Sequence, residues 1–85
     1  MPKKRNITPD EVQLSLKLGN RLRDLRCECG LSQEAVAARA GIASNTYQKF
    51  EKGESRPGTP MNPEFYTLVA LCRALDTDLK TLLDF

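Results

Sequence analysis

The chain has 85 residues, 40% of them hydrophobic and 28% charged, with a formal net charge of +2. That is about half of a ~150-residue domain, so one domain is expected, and this composition argues against wholesale disorder. There is no histidine, which excludes His-dependent catalytic triads and His-containing metal sites.

The three cysteines cannot all pair within one chain. Cys27 and Cys29 form a Cys-x-Cys and Cys72 stands alone, so the fourth ligand of a structural zinc site is missing. Reduced thiols, buried or half-buried, are the expectation, with no metal and no cofactor. No apolar run approaches the roughly 20 residues that span a bilayer. The basic start Pro2-Lys3-Lys4-Arg5 leads into polar residues rather than a signal-peptide core, which points to a cytoplasmic protein with no membrane partner. Charge is uneven along the chain. Residues 1–30 carry seven Lys/Arg against four Asp/Glu, and residues 57–85 carry two against four. If the molecule meets a polyanion, its last third should face away from it.

Apart from residues 1–8, which read as a basic flexible arm, the pattern is helical throughout. Thr8-Pro9-Asp10-Glu11 is a start signal: a cap, a proline at the first helical position and an acid completing a capping box. Leu14, Leu18, Leu22, Leu25 and Cys29 then trace one helix face up to Gly30. Val12 and Leu16 form a second stripe, available to the core or to a partner. Gly19 inside this helix leaves open a split near residue 16. Ser32 caps a short helix over 33–40, in which Val36, Ala37 and Ala40 share a face and Gly41 follows. A further helix over 44–52 carries Tyr47, Phe50 and Glu51 inward and stops at Gly53. Glu54 to Met61 contains two prolines and a glycine and reads as a loop. Asn62-Pro63-Glu64 starts the next helix, with Leu68, Leu71, Cys72 and Leu75 buried. Asp78 caps a last short helix bearing Leu79, Leu82 and Leu83. The result is an all-α domain over 9–85, with five helices, or six if the first is split.

Two short helices joined through a glycine turn and packed by small residues are the signature of a helix-turn-helix, here at about 32–52. In such a pair the second helix lies in the DNA major groove and its outward side chains meet base edges. The ordered set Leu18-Gly19-Asn20-Arg21-Leu22, Gly30-Leu31-Ser32-Gln33-Glu34-Ala35-Val36-Ala37, Ala40-Gly41-Ile42, Tyr47-Gln48-Lys49-Phe50-Glu51-Lys52-Gly53 and Leu75-Asp76-Thr77-Asp78-Leu79 resembles the Xre/Cro/CI family of phage repressors and small bacterial regulators. The resemblance spans roughly residues 16–84. It implies a compact five-helix bundle of the lambda-repressor type and a bacterial or phage-encoded transcriptional regulator, not an enzyme.

The resemblance also implies roles. Ser44, Asn45, Thr46, Gln48 and Lys49 stand at base-reading positions. Asn suits adenine, Lys favours guanine, and Ser accommodates several base edges. Gln33, Ser32, Lys52, Arg56 and Arg21 stand where phosphates are contacted, Gln33 alternatively bracing the recognition helix. Arg26 and Glu51 match the family's structural ion pair. The plain alternative for the base-reading set is a solvated helix face. Ala43 departs from the usual Ser or Thr cap, which costs about 1 kcal/mol unless Ser44 caps one residue later and shifts the register. Tyr47 replaces a smaller aliphatic, so the core must make room. The expected partners are double-stranded DNA and a second copy, the homodimer reading inverted half-sites. Candidates for the dimer contact are Val12, Leu16, Leu79, Leu83 and Phe85. The alternative is a protein-binding module, such as an antitoxin holding a toxin or another regulator.

Overall fold

The computed structural model describes residues 7–85. The basic segment Pro2–Arg5 lies outside them. Five helices and one small hairpin follow in order: α1 Pro9–Cys29, α2 Gln33–Ala40, α3 Ser44–Lys52, β1 Glu54–Arg56, β2 Thr59–Pro60, α4 Phe65–Ala74 and α5 Leu79–Leu82.

Helix α1 starts as its residues direct, with the Thr8 hydroxyl accepting the Glu11 amide at 3.2 Å. It runs unbroken through Gly19, so the split into two helices does not occur. Gly19 is instead a point of close approach between α1 and α3. A Cβ there would lie 2.6 Å from the Phe50 carbonyl oxygen and closer still to that of Glu51. The anticipated apolar stripe is buried only in its middle. Leu22 is fully buried, Leu18 and Leu25 pack against the core, and Leu14 remains 53% exposed. Cys27 and Cys29 are also exposed, and only Cys72 is a buried thiol. The expectation of buried or half-buried thiols therefore holds for one cysteine of three. The end of α1 extends beyond the core that covers its centre.

The core is a single cluster built on Leu22, Val36, Tyr47, Phe50, Leu71 and Leu82, closed by the small residues Ala37 and Ala74. Each large side chain of this kind contributes about 1.5–3 kcal/mol when fully withdrawn from water. Tyr47 is accommodated with no exposed surface.

Two boundaries differ from the sequence reading. Residues 54–61 contain an antiparallel hairpin, with Arg56 paired to Thr59 and Glu54 to Pro60, so the chain is not strictly all-α. The turn is written in Arg56-Pro57-Gly58-Thr59. Proline presets the second turn position, and Gly58, at φ 80°, supplies the left-handed third position of a type II turn. The prolines and glycine that break a helix here also close a hairpin. Helix α4 begins at Phe65 with Glu64 in the cap position, later than Asn62-Pro63 suggests. The preceding segment is still held against α1: the Ser15 hydroxyl donates to the Met61 carbonyl at 2.7 Å, and Asn62 lines the same groove as Ile7, Glu11 and Leu14. The chain turns into a helix only after leaving that groove.

Candidate nucleic-acid interface

Helices α2 and α3 form the helix-turn-helix. The Ser32 hydroxyl accepts the Ala35 amide at 3.0 Å and starts α2. The Ile42 amide returns to the Ala37 carbonyl at 3.0 Å, closing the turn around Gly41. Ala43 occupies the N-cap of α3 without any side-chain bond, so Ser44 does not take over the cap and the helix keeps its unshifted start.

The faces of α3 follow from about 100° of rotation per residue. Tyr47, Phe50 and Glu51 point into the molecule and are buried. Asn45, Gln48, Lys49 and Lys52 cluster on the opposite side and are exposed. Ser44 and Thr46 lie on the two edges of that face, half-buried. All five expected base-reading residues therefore lie on the outward face or its edges. Lys52 continues the same face one turn on. Arg56 is exposed at the hairpin turn immediately after α3.

The inner side of α3 is anchored by charge as well as packing. Arg26 grips Glu51 with two bonds, Nε to Oε2 at 2.6 Å and Nη2 to Oε1 at 3.2 Å, and its third nitrogen donates to the Leu31 carbonyl at 3.0 Å. Gln33 Nε2 donates to Glu51 Oε1 at 3.0 Å. A bidentate, charge-assisted pair of this kind is among the strongest side-chain contacts and fixes orientation as well as distance. Burial alone would raise the Glu51 pKa, but the bonds from Arg26 and Gln33 outweigh it and hold the carboxyl below its ordinary range. The bond to Glu51 likewise raises Arg26 further. Burial, reinforced by the neighbouring Glu51, pushes the Tyr47 hydroxyl well above the usual tyrosine range.

Two expected phosphate contacts are committed inside the molecule. Gln33 uses its amide nitrogen to brace α3, the alternative role the resemblance allowed for it. Arg21 donates to the Asp84 carbonyl and ties α1 to the C-terminal segment. Ser32 is exposed, with its hydroxyl engaged as the α2 cap. The sequence reading missed Phe65 and Tyr66, which are 60% and 80% exposed. The signal was present in α4, where Phe65, Tyr66 and Val69 add apolar residues beyond those needed to bury one face.

A helix-turn-helix domain model matches residues 17–84. The chain belongs to the helix-turn-helix domain family. The type is Xre/Cro/CI, as the relatives of this helix-turn-helix domain indicate. Antitoxin HigA1 of Mycobacterium tuberculosis is 35% identical over 77 residues, 91% of this chain and 48% of that protein. The cryptic phage CTXphi transcriptional repressor RstR of Vibrio cholerae is 47% identical over 38 residues, 45% of this chain and 34% of that protein. The chain thus spans half or less of the length of these curated relatives. Among solved structures, the restriction-modification controller protein C.AhdI of Aeromonas hydrophila superposes with a TM-score of 0.69 at 33% identity, over 79% of this chain and 92% of that one. The controller protein C.Esp1396I shares the fold, with a TM-score of 0.70 at 17% identity and 84% of each chain covered. Among the described residues, no helix of the domain is long and apolar enough to cross a membrane.

Proposed function

We propose that this helix-turn-helix domain is a sequence-specific double-stranded DNA-binding module of a cytoplasmic transcriptional regulator, working as a homodimer on inverted half-sites. One observation carries the reading: α3 is locked along its buried side and presents only polar and cationic side chains on the other. A helix so held offers Asn45, Gln48 and Lys49 to base edges, with Ser44 and Thr46 flanking them. Lys52 and Arg56, at the far end of α3 and on the hairpin, neutralise phosphates. Ser32 supports the phosphate side through the start of α2, and Gln33 and Arg21 act mainly as braces. The chemistry is binding, with no reaction assigned to the domain.

The direct test is selection of binding sites from a random duplex pool by the purified protein at ~150 mM salt, followed by sequencing. An enriched inverted repeat with half-sites about 34–36 Å apart supports the reading. Salt-sensitive binding without enrichment overturns it. A second reading, in which the domain belongs to an antitoxin and also holds a protein partner, draws its support from the likeness to HigA1 over most of the chain.

A further inference from the structure

We infer that the outward face of α4 is a two-fold contact surface for a second copy of this chain, and that Phe65, Tyr66, Val69, Ala70 and Arg73 form it. The inference deepens the dimeric reading above and rests on it for its biological role.

Helix α4 is apolar on two sides. At about 100° per residue, Leu68, Leu71, Ala74 and Leu75 occupy the sector turned to the core. Leu71, Ala74 and Leu75 are buried, and Leu68 packs against them. Phe65, Tyr66, Val69, Ala70 and Arg73 fall in a separate sector, with both rings and Arg73 exposed and Val69 and Ala70 half-buried. A helix that is hydrophobic all round is normally covered on all sides. Here, among the described residues, Phe65, Tyr66 and Arg73 on the outer side stay exposed. Its two rings are already packed against each other edge to face, with centroids 5.3 Å apart.

The occupant follows from the order of the residues along the face. About a two-fold axis, an antiparallel copy pairs each position with one whose number is complementary about a single midpoint. A midpoint between Val69 and Ala70 sets Val69 against Ala70 of the other copy, where small side chains let the two helices approach. The same operation sets Arg73 against Tyr66. Arg73 is the only charged residue in this outward sector, and no ion pair of its side chain occurs among the described residues. It would lie on the Tyr66 ring of the other copy as a cation–π contact. The exposed Glu64, just before Phe65, supplies the opposite charge at that end. One self-complementary operation therefore seats the lone cation on Tyr66 and closes the Val69–Ala70 seam, while Phe65, whose complementary position is the buried Ala74, flanks the contact against Tyr66. The four rings of two copies, at about 200 Å² each and with the exposure seen here, supply about 550 Å² of aromatic surface. That is close to half of the ~1,200 Å² of a stable interface before Val69, Ala70 and Arg73 are counted.

The test is sedimentation velocity of the full chain from 0.5 to 50 µM, with circular dichroism to check folding. The wild type is expected to dimerise. Tyr66→Ser and Arg73→Glu are each expected to raise the dimer dissociation constant at least tenfold, while Leu83→Ser, at an exposed apolar position outside α4, leaves it within about twofold. In a Cys27→Ser, Cys29→Ser background, Ala70→Cys is expected to form an intermolecular disulfide on mild oxidation and Leu14→Cys is not. A wild type that is monomeric at 50 µM, or a dimer insensitive to Tyr66→Ser and Arg73→Glu, overturns the inference. Binding to a single half-site duplex is measured in parallel. If the inference holds, folded monomeric variants match the wild type there and lose only the gain from the second half-site. Dimerisation through α4 with no DNA sequence preference would overturn the DNA reading and leave this surface standing.

Discussion

Replacing Gly19 with alanine tests how closely the recognition helix is seated on α1. The added Cβ would lie 2.6 Å from the Phe50 carbonyl oxygen and nearer to that of Glu51, against about 3.4 Å for ordinary contact. Both obstacles are backbone atoms, so no rotamer change relieves them and the helices must separate by about 1 Å. Overpacking of this kind costs about 1–3 kcal/mol, and the rigid obstacles place Gly19→Ala in the upper part of that range. Alanine returns about 1 kcal/mol through its better helix propensity. The net expectation is a loss of about 1–2 kcal/mol, or a melting temperature lowered by roughly 5–15 °C for a domain this size. Thermal and urea unfolding followed by circular dichroism reads it, with Gln13→Ala, at an exposed position of the same helix, as the control for propensity alone. A Gly19→Ala protein as stable as the wild type, or more so, would refute the close seating of α3 on α1.

Three further outcomes are expected. Ala43→Ser gives α3 the side-chain cap it lacks and should stabilise the domain by about 1 kcal/mol in urea unfolding; no gain would mean that the first turn is already satisfied. Glu51→Gln should destabilise by about 3 kcal/mol at neutral pH, since Arg26 keeps its charge without its counterion. Because the folded Glu51 carboxyl lies below its ordinary range, its contribution is complete above the unfolded value of about 4.3 and is lost as pH falls through the folded value. The gap between wild type and Glu51→Gln in urea unfolding should therefore be constant from pH 7 to about 5 and narrow below that; a gap that widens on acidification would refute the assignment. In DNA binding, Lys49→Ala should change preference at one base position, whereas Lys52→Ala should weaken all sequences alike and reduce the salt slope by about one. Uniform loss in both would abolish the division between readers and positioners.

The helix-turn-helix was legible because local signals agree there. Ser32 both caps α2 and precedes an Ala-rich face, and Tyr47, Phe50 and Glu51 recur at the spacing of one buried side. The Arg26–Glu51 pair came from the resemblance rather than from spacing, since the two residues lie 25 apart in sequence. What escaped the sequence depends on contacts made at a distance. Asn62-Pro63-Glu64 has the composition of a helix start, but the segment before it is pinned to α1 through Ser15 and Met61. Arg21 looks like a phosphate contact on a bare helix, and only the fold brings Asp84 beneath it. Leu14 shares the period of Leu18 and Leu22, yet α1 extends beyond what α3 and α5 cover. Periodicity identifies which residues share a face; it does not say how far along the helix that face is covered.

On the proposed reading, the two sides of α3 divide stability from recognition. Tyr47, Phe50 and Glu51 carry the packing and the ion pair, and Gly19 sets how closely the helix sits. Asn45, Gln48 and Lys49 make none of the side-chain hydrogen bonds or ion pairs found among the described residues. Substituting them removes no buried partner, so stability changes of no more than about 0.5 kcal/mol are expected for each. Arg26 and Gln33 act differently. They lie on the inner side of α3, where both hold Glu51, one turn from Gln48 and adjacent to Lys52 on the helix. Removing either loosens the platform that aims those side chains. A change in Arg26 should therefore reduce stability and affinity together, while a change in Asn45 should alter sequence preference with stability intact. That separation between inner and outer residues is what the proposed reading expects of α3, and it would make specificity open to change without unfolding the domain.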